Sequence, residues 1–154
     1  MYTVFKFGGA SIKNVESIKN VGEILLSYAE NKLIVVFSAM GKITNMLENV
    51  VEVYVQKSSD PFKELQKVKD FHEDIINNLF DKKHPIFDEV NNLFVEIEWV
   101  LENDPSSEYS YDYDQIVSIG EFLSTKIMSA YLQQVGFKNN WLDARDLIRT
   151  DNTH

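Results

Sequence analysis

No cysteine occurs in the 154 residues, which excludes a disulfide framework and thiolate chemistry. Basic charge is scarce: 15 Lys and Arg stand against 24 Asp and Glu, a formal net charge of -9. No run of Lys and Arg builds a basic face, so no nucleic-acid partner is expected. The acidic balance still leaves room for a phosphate site, because the field that matters there is local. No apolar run approaches the roughly 20 residues that span a bilayer. No basic segment followed by an apolar stretch opens the chain as a secretory signal would. No membrane partner is therefore expected, and the setting expected is intracellular and cytoplasmic. The spacings Gly-x-Gly-x-x-Gly and Gly-Lys-Ser/Thr are both missing, which argues against a Rossmann fingerprint and a Walker A loop. No internal repeat or low-complexity segment is visible. At 44% hydrophobic and 25% charged residues, the composition suits one domain with a sizeable core.

What is present starts with Tyr2-Thr3-Val4-Phe5-Lys6-Phe7, a run of strand formers that stops at Gly8-Gly9. The glycines leave room for something to lie against the backbone. Ser11 is placed to cap a following helix. A strand, a glycine turn and a helix N-terminus would together offer free N–H groups to an anion, with Lys6 adding a mobile charge. Gly-Gly by itself fits a tight strand-to-helix connection equally well, with Lys6 as a solvated strand-end residue.

Residues 13–30 carry Val15, Ile18, Val21, Ile24, Leu25 and Tyr28 at helical spacing. Leu33-Ile34-Val35-Val36-Phe37 is a short apolar β-branched run, predicting a central parallel strand buried on both faces. It too stops at small residues, Ser38-Ala39-Met40-Gly41. In a right-handed βαβ unit both special turns fall on one sheet edge, where ligands of open α/β sheets collect. A helix then runs to about Lys57, with Thr44 or Ser38 as its cap. Asp60-Pro61 opens another helix, and a further one begins after His84-Pro85. These two read as an antiparallel helical hairpin inserted at about 60–103. His72 and His84 have no metal-ligand partner in the sequence and read as surface or boundary histidines. Glu73-Asp74, Glu96 and Glu98 read as solvated helix faces.

Tyr109, Tyr111 and Tyr113 alternate with polar residues, which fits a short edge strand or an aromatic loop. A helix is expected over 114–135 with Gly120-Glu121 inside it. Its glycine calls for an offset such as close packing or ligand approach, and periodicity alone puts Glu121 on the exposed side. Gly136 is expected to close that helix in a left-handed cap. Phe137–Leu142 is expected to be a third strand, Asp143–Asp146 a turn or short helix, and 147–150 the approach to another strand. A sheet of three or four strands would keep an open edge, as if the chain were cut within a larger unit.

Four stretches together carry a family resemblance. Lys6-Phe7-Gly8-Gly9-Ala10-Ser11 resembles the opening motif of aspartate kinases, where threonine commonly stands at the Ala10 position. Val36 to Asn45 is similar to their second motif and Ser118 to Ser124 to their third. Trp141-Leu142-Asp143-Ala144-Arg145 with Arg149-Thr150-Asp151 is similar to the fourth. The resemblance covers nearly the whole chain. It implies an α/β fold: a three-layer αβα sandwich of the amino-acid kinase (carbamate kinase-like) type, mostly parallel and truncated. The chain would be the N-terminal portion of the catalytic domain. The nucleotide-binding half and the ACT regulatory domains would lie outside it.

The activity so implied is transfer of the γ-phosphoryl group of ATP to the side-chain carboxylate of L-aspartate, the first step toward lysine, threonine and methionine. Lys6 would be the catalytic charge, with Gly8 and Gly9 beside it on the phosphates. Ser38 and Thr44 would hold aspartate, and Glu121 would meet its ammonium group. Magnesium would travel mainly on the ATP phosphates, with no metal ligand supplied here, and the complete protein would be a homo-oligomer. Ala10 removes one hydroxyl, for which Ser11 can compensate. The 154 residues alone are expected to be inactive. The alternatives are a related kinase for another acidic substrate and a non-catalytic regulatory subunit.

Overall fold

The computed structural model describes residues 2–148. Two strands, β1 (Thr3–Phe7) and β2 (Leu33–Phe37), pair in parallel with Thr3 opposite Leu33 and Phe7 opposite Phe37. The connection between them is α1 (Val15–Leu26), so the βαβ unit predicted from the sequence is present. Five longer helices follow: α2 (Ile43–Gln56), α3 (Pro61–Leu79), α4 (Ile86–Leu101), α5 (Tyr109–Val117) and α6 (Ile119–Gln134). The short α7 (Ala144–Leu147) comes last. The result is an α/β fold with a small parallel sheet and a large helical share. Among the described residues no helix is long and apolar enough to cross a membrane.

Local chemistry explains most boundaries. Asp60 accepts a hydrogen bond from the Phe62 amide at 3.0 Å and Pro61 occupies the first turn of α3. Gly136 stands at φ 90° just beyond α6, the left-handed position expected for it. Ser11 does not cap a helix. The chain first makes a 3-10 turn over Gly9–Ile12, and Asn14 then caps α1 by accepting from the Ser17 amide at 2.9 Å. Neither Ser38 nor Thr44 caps α2; Lys42 precedes it without a side-chain bond.

Several expectations are corrected. Tyr109–Tyr113 is helical: Tyr113 donates to Glu48 on α2 at 2.7 Å, and the buried Asp112 accepts from the Ser106 amide at 2.9 Å. Alternation there reflects a half-solvated helix, with Tyr109 and Tyr111 outward. The long helix over 114–135 is two helices joined at Ser118. Phe137–Leu142 forms no strand. Asn139 instead donates to the Ser129 and Phe137 carbonyls, and Ser129 donates back to Asn139 at 2.6 Å, tying the segment to α6. Leu147 is helical in α7, while Arg149 and Thr150 lie outside the described residues. β2 is buried on one face only. Phe5, Phe7, Leu33, Val35 and Phe37 face the core, whereas Val4, Ile34 and Val36 are 63, 48 and 46% exposed.

His72 is the sharpest departure from expectation. It is fully buried on α3, ringed by Phe71 and Phe94, and its Nδ1 lies 2.8 Å from the Val68 carbonyl. Its Nε2 has no hydrogen-bond partner among the described residues. Burial pulls its pKa down to about 4. The folded state thus holds this ring neutral, while the unfolded chain takes up a proton near the ordinary 6.5. The unfolded state binds more protons between these values, so stability falls as pH drops through that window, by about 1.4 kcal/mol per pH unit. We expect the urea midpoints of wild type and His72→Leu to diverge steadily from pH 7 to pH 4.5, with the variant losing less. A constant difference across that range would refute the assignment.

Candidate functional site

The parallel register brings the carboxyl ends of both strands together, with the Phe7 and Phe37 rings stacked at 5.5 Å. The ladder runs one step further, the Ser38 amide donating to the Phe7 carbonyl at 3.1 Å. The two chains then turn across each other, and the Gly41 amide donates to the Gly9 carbonyl at 3.0 Å. A Cβ at Gly9 would sit 2.6 Å from the Ala39 carbonyl oxygen and 2.8 Å from that of Gly41. Only glycine permits this crossing.

Helix α6 reaches the same point from the other end of the sequence. A Cβ at Gly120 would lie 3.1 Å from both the Ala39 Cβ and the Leu47 Cδ1. Close packing is therefore what offsets the roughly 1 kcal/mol propensity cost of a helical glycine. Seating the helix there carries Glu121 over the second turn, where its Oε1 accepts from the Ala39 amide at 3.4 Å. Residues 82 positions apart thus meet at one sheet edge.

The structure brings Gly9, the Ser38–Gly41 turn and Glu121 into one place. Lys6 on β1 and Gly8 just beyond it flank the site: the Lys6 Nζ lies 3.8 Å from the position of a Cβ on Gly8, and Lys6 is exposed and forms no ion pair among the described residues. Ser38 is half-buried at the end of β2. Thr44 is the least integrated. It lies in the first turn of α2, next to Ile43, whose Cγ2 would be 3.4 Å from a Cβ on Gly120, and it bonds to none of the other candidates. Among the described residues no group of three or more His, Cys, Asp or Glu is placed to hold a metal ion.

Sequence reasoning missed the support behind Glu121. The Thr125 hydroxyl donates to the Glu121 carbonyl at 2.7 Å, and the buried Ser124 does so at 3.0 Å. Trp141 donates its indole N–H to the Thr125 hydroxyl at 3.0 Å. Lys126 stands 4.4 Å over the Trp141 ring, and Arg145 4.1 Å over Phe122. Arg145 also pairs with Asp143, and that pairing lowers the Asp143 pKa and raises that of the guanidinium. The available signal was the four-residue step from Glu121 to Thr125, which stacks them on one helix face.

The sequence pattern of the amino acid kinase family matches residues 1–154. Aspartokinase 1, chloroplastic, of Arabidopsis thaliana is 33% identical over 154 residues, covering 96% of this chain and 26% of the relative. The bifunctional aspartokinase/homoserine dehydrogenase 2 of Escherichia coli is 29% identical over 147 residues, covering 95% of this chain and 18% of the relative. The crystal structure of E. coli aspartokinase III with aspartate and ADP superposes with a TM-score of 0.82 at 28% identity, over 97% of this chain and 32% of that one. The same enzyme with lysine and aspartate gives 0.83 over 97% of this chain and 33% of that one. The chain therefore spans between a sixth and a third of the relatives it resembles. With the sheet, the glycine crossing and the matched pattern in agreement, the chain belongs to the amino acid kinase family.

Proposed function

We propose that this chain supplies the aspartate-facing part of an aspartate kinase, which moves the γ-phosphoryl group of ATP to the side-chain carboxylate of L-aspartate. A carboxylate oxygen attacks the γ-phosphorus, the bond to the β,γ-bridging oxygen breaks, and ADP leaves with 4-phospho-L-aspartate as the other product. The observation that carries this reading is the meeting of Gly9, Ala39–Gly41 and Glu121 at one strand-end edge, with the Lys6 ammonium at the adjoining Gly8. Phosphoryl transfer asks mainly for alignment and charge compensation. Lys6 suits the second task. It is a cation with no ion pair among the described residues, in a chain of net charge -9, next to a glycine backbone that a phosphate can approach. Glu121 suits the first task, as a carboxylate for the substrate ammonium. It need not act as a base, because the attacking carboxylate is already ionised. Ser38 and Thr44 would complete the amino-acid side of the site.

The donor set fits an ATP phosphate tail at Lys6, Gly8 and Gly9. Magnesium would be carried by the phosphates and neutralise charge there. The aspartokinase structures that contain aspartate and ADP, or lysine and aspartate, lend the substrate class its support.

Two measurements test this. A catalytically complete kinase carrying this chain should form hydroxylamine-trappable acyl phosphate from Mg-ATP with L-aspartate, and at least tenfold less with L-glutamate or N-acetylglutamate. Preference for either competitor would move the substrate assignment to another member of the family. The 154-residue chain alone, about a third as long as the matched aspartokinase III chain, should release no ADP in an aspartate-dependent way. Turnover by that chain would overturn the expectation that the nucleotide side is supplied from outside it.

A further inference from the structure

Glu121 is exposed, yet its carboxylate points back at the Ala39 amide. An exposed glutamate keeps such an orientation only if something else restricts it, since its rotamer freedom costs free energy to remove. The restraint is visible one turn further along α6. The Thr125 hydroxyl has one proton and gives it to the Glu121 carbonyl at 2.7 Å, while sharing it with the Phe122 carbonyl at 3.2 Å. Its lone pairs face the Trp141 indole N–H at 3.0 Å. The hydroxyl is thus used in both directions, as donor and as acceptor.

Trp141 is itself held. Its ring lies under the Lys126 ammonium at 4.4 Å, and Lys126 is anchored by an ion pair to Glu89 on α4 at 2.9 Å. Four residues on, Arg145 covers the Phe122 ring at 4.1 Å and is fixed by Asp143 at 2.7 Å. The segment after α6 therefore folds back on that helix and grips Phe122 and Thr125, in the turn that follows Glu121, from outside. Among the described residues no strand pairing holds it there. Its attachment is this set of side-chain contacts, together with those of Asn139.

We propose that Thr125 and Trp141 are positioning residues for Glu121: the chain Trp141 indole, Thr125 hydroxyl, Glu121 carbonyl sets the first turn of α6 so that the Glu121 carboxylate stays over the Ala39 turn. What Glu121 is positioned for, the ammonium of an acidic amino acid, rests on the function proposed above. The positioning itself does not, and it can be read without substrate.

The test follows the Ala39 amide resonance in the ¹⁵N-labelled chain. Glu121→Ala marks where that resonance lies when no carboxylate reaches it. In Thr125→Val, which keeps the shape and removes the hydroxyl, and in Trp141→Phe, which keeps a ring and removes the N–H, the Ala39 resonance should move at least halfway to that position. Thr125→Ser, which restores the hydroxyl, should stay with wild type. Circular dichroism checks that each variant folds. The two routes of removal, one on α6 and one outside it, keep the test open if either protein fails to fold. Ala39 unmoved in the folded variants, or Thr125→Ser moving as far as Thr125→Val, would overturn the proposal.

Adding L-aspartate to the same samples separates this inference from the substrate reading. An Ala39 response in wild type whose apparent Kd rises about tenfold in Thr125→Val, close to 1.4 kcal/mol, supports both. The expected shift pattern with no aspartate response in wild type supports the positioning and removes the support for aspartate.

Discussion

Lys6→Ala, introduced into a catalytically complete kinase carrying this chain, is expected to lower kcat by roughly 10²–10³. The reasoning starts from charge. In the transfer proposed above the γ-phosphoryl group would pass between two anions, and in a chain with nine more acidic than basic residues a nearby cation would be needed to compensate their charge. Lys6 is exposed at the end of β1, and no carboxylate neutralises it among the described residues. Its ammonium already lies against the Gly8 backbone, so placing it costs little reorganisation when phosphate arrives. Because it holds nothing else, the urea midpoint should move by no more than about 0.5 kcal/mol in equivalent stability. That pairing of results separates a catalytic charge from a solvated strand-end lysine. A drop of less than fivefold in kcat would support the solvated reading and take Lys6 out of the site. An effect confined to the KM for ATP, with kcat intact, would make it a ground-state binding residue instead.

The parts of the fold that were legible share one property: their signals are local. β1, β2, the α1 crossover, the Asp60-Pro61 start of α3 and the Gly136 stop after α6 each rest on side chains within a few residues of the boundary. The helix caps expected of Ser11 and of Ser38 or Thr44 failed locally, but the larger failures come from partners outside the segment itself. Tyr109–Tyr113 alternates as an edge strand would, but a phenol-to-Glu48 bond across 65 positions and the burial of Asp112 make it helical. Phe137–Leu142 has strand-like ends, but Asn139 bonds to Ser129 on α6, and the sheet of the described residues holds only β1 and β2. His72 sits at a position whose periodicity was compatible with a boundary, but packing that includes Phe94 of α4 buries it. The apolar run of β2 predicted two covered faces, whereas Ile34 and Val36 are open among the described residues.

The site divides along the same line. Lys6, Gly8, Gly9, Ser38 and Glu121 were named as candidates from motifs, and the two strand-end turns do lie on one edge. How closely each candidate approaches that edge was not readable. Gly8 and Gly9 looked equivalent, and Thr44 looked as close to the centre as Ser38. Trp141 was quoted only as part of the fourth motif, without a role, and Thr125 was passed over because a threonine inside a helix has an ordinary packing explanation. Their contact exists only once the segment after α6 has folded back.

The two glycines make the second large effect testable, because the structure separates what the sequence joins. Gly8 lies at φ -78° and ψ 170°, an extended conformation open to any residue. A methyl group there would meet only the flexible end of Lys6 at 3.8 Å. Gly9 is different in kind. A methyl group there would stand 2.6 and 2.8 Å from two carbonyl oxygens of the facing turn, and 3.2 Å from the Gly41 amide nitrogen. These are backbone atoms, so relief requires one turn to withdraw from the other by close to an ångström. Withdrawal breaks the Gly41-to-Gly9 hydrogen bond, worth about 1 kcal/mol, and overpacking of this kind costs a further 1–3 kcal/mol. It also carries Ala39 away from Glu121 and from its contact with Gly120. Gly9→Ala should therefore lose roughly 2–4 kcal/mol in urea unfolding and lose the Ala39–Glu121 contact with it. Gly8→Ala should stay within about 0.5 kcal/mol of wild type. Equal midpoints for the two variants would mean that the crossing of the strand-end turns is not as tight as 2.6 Å implies. The common edge on which the proposed site depends would then need another explanation.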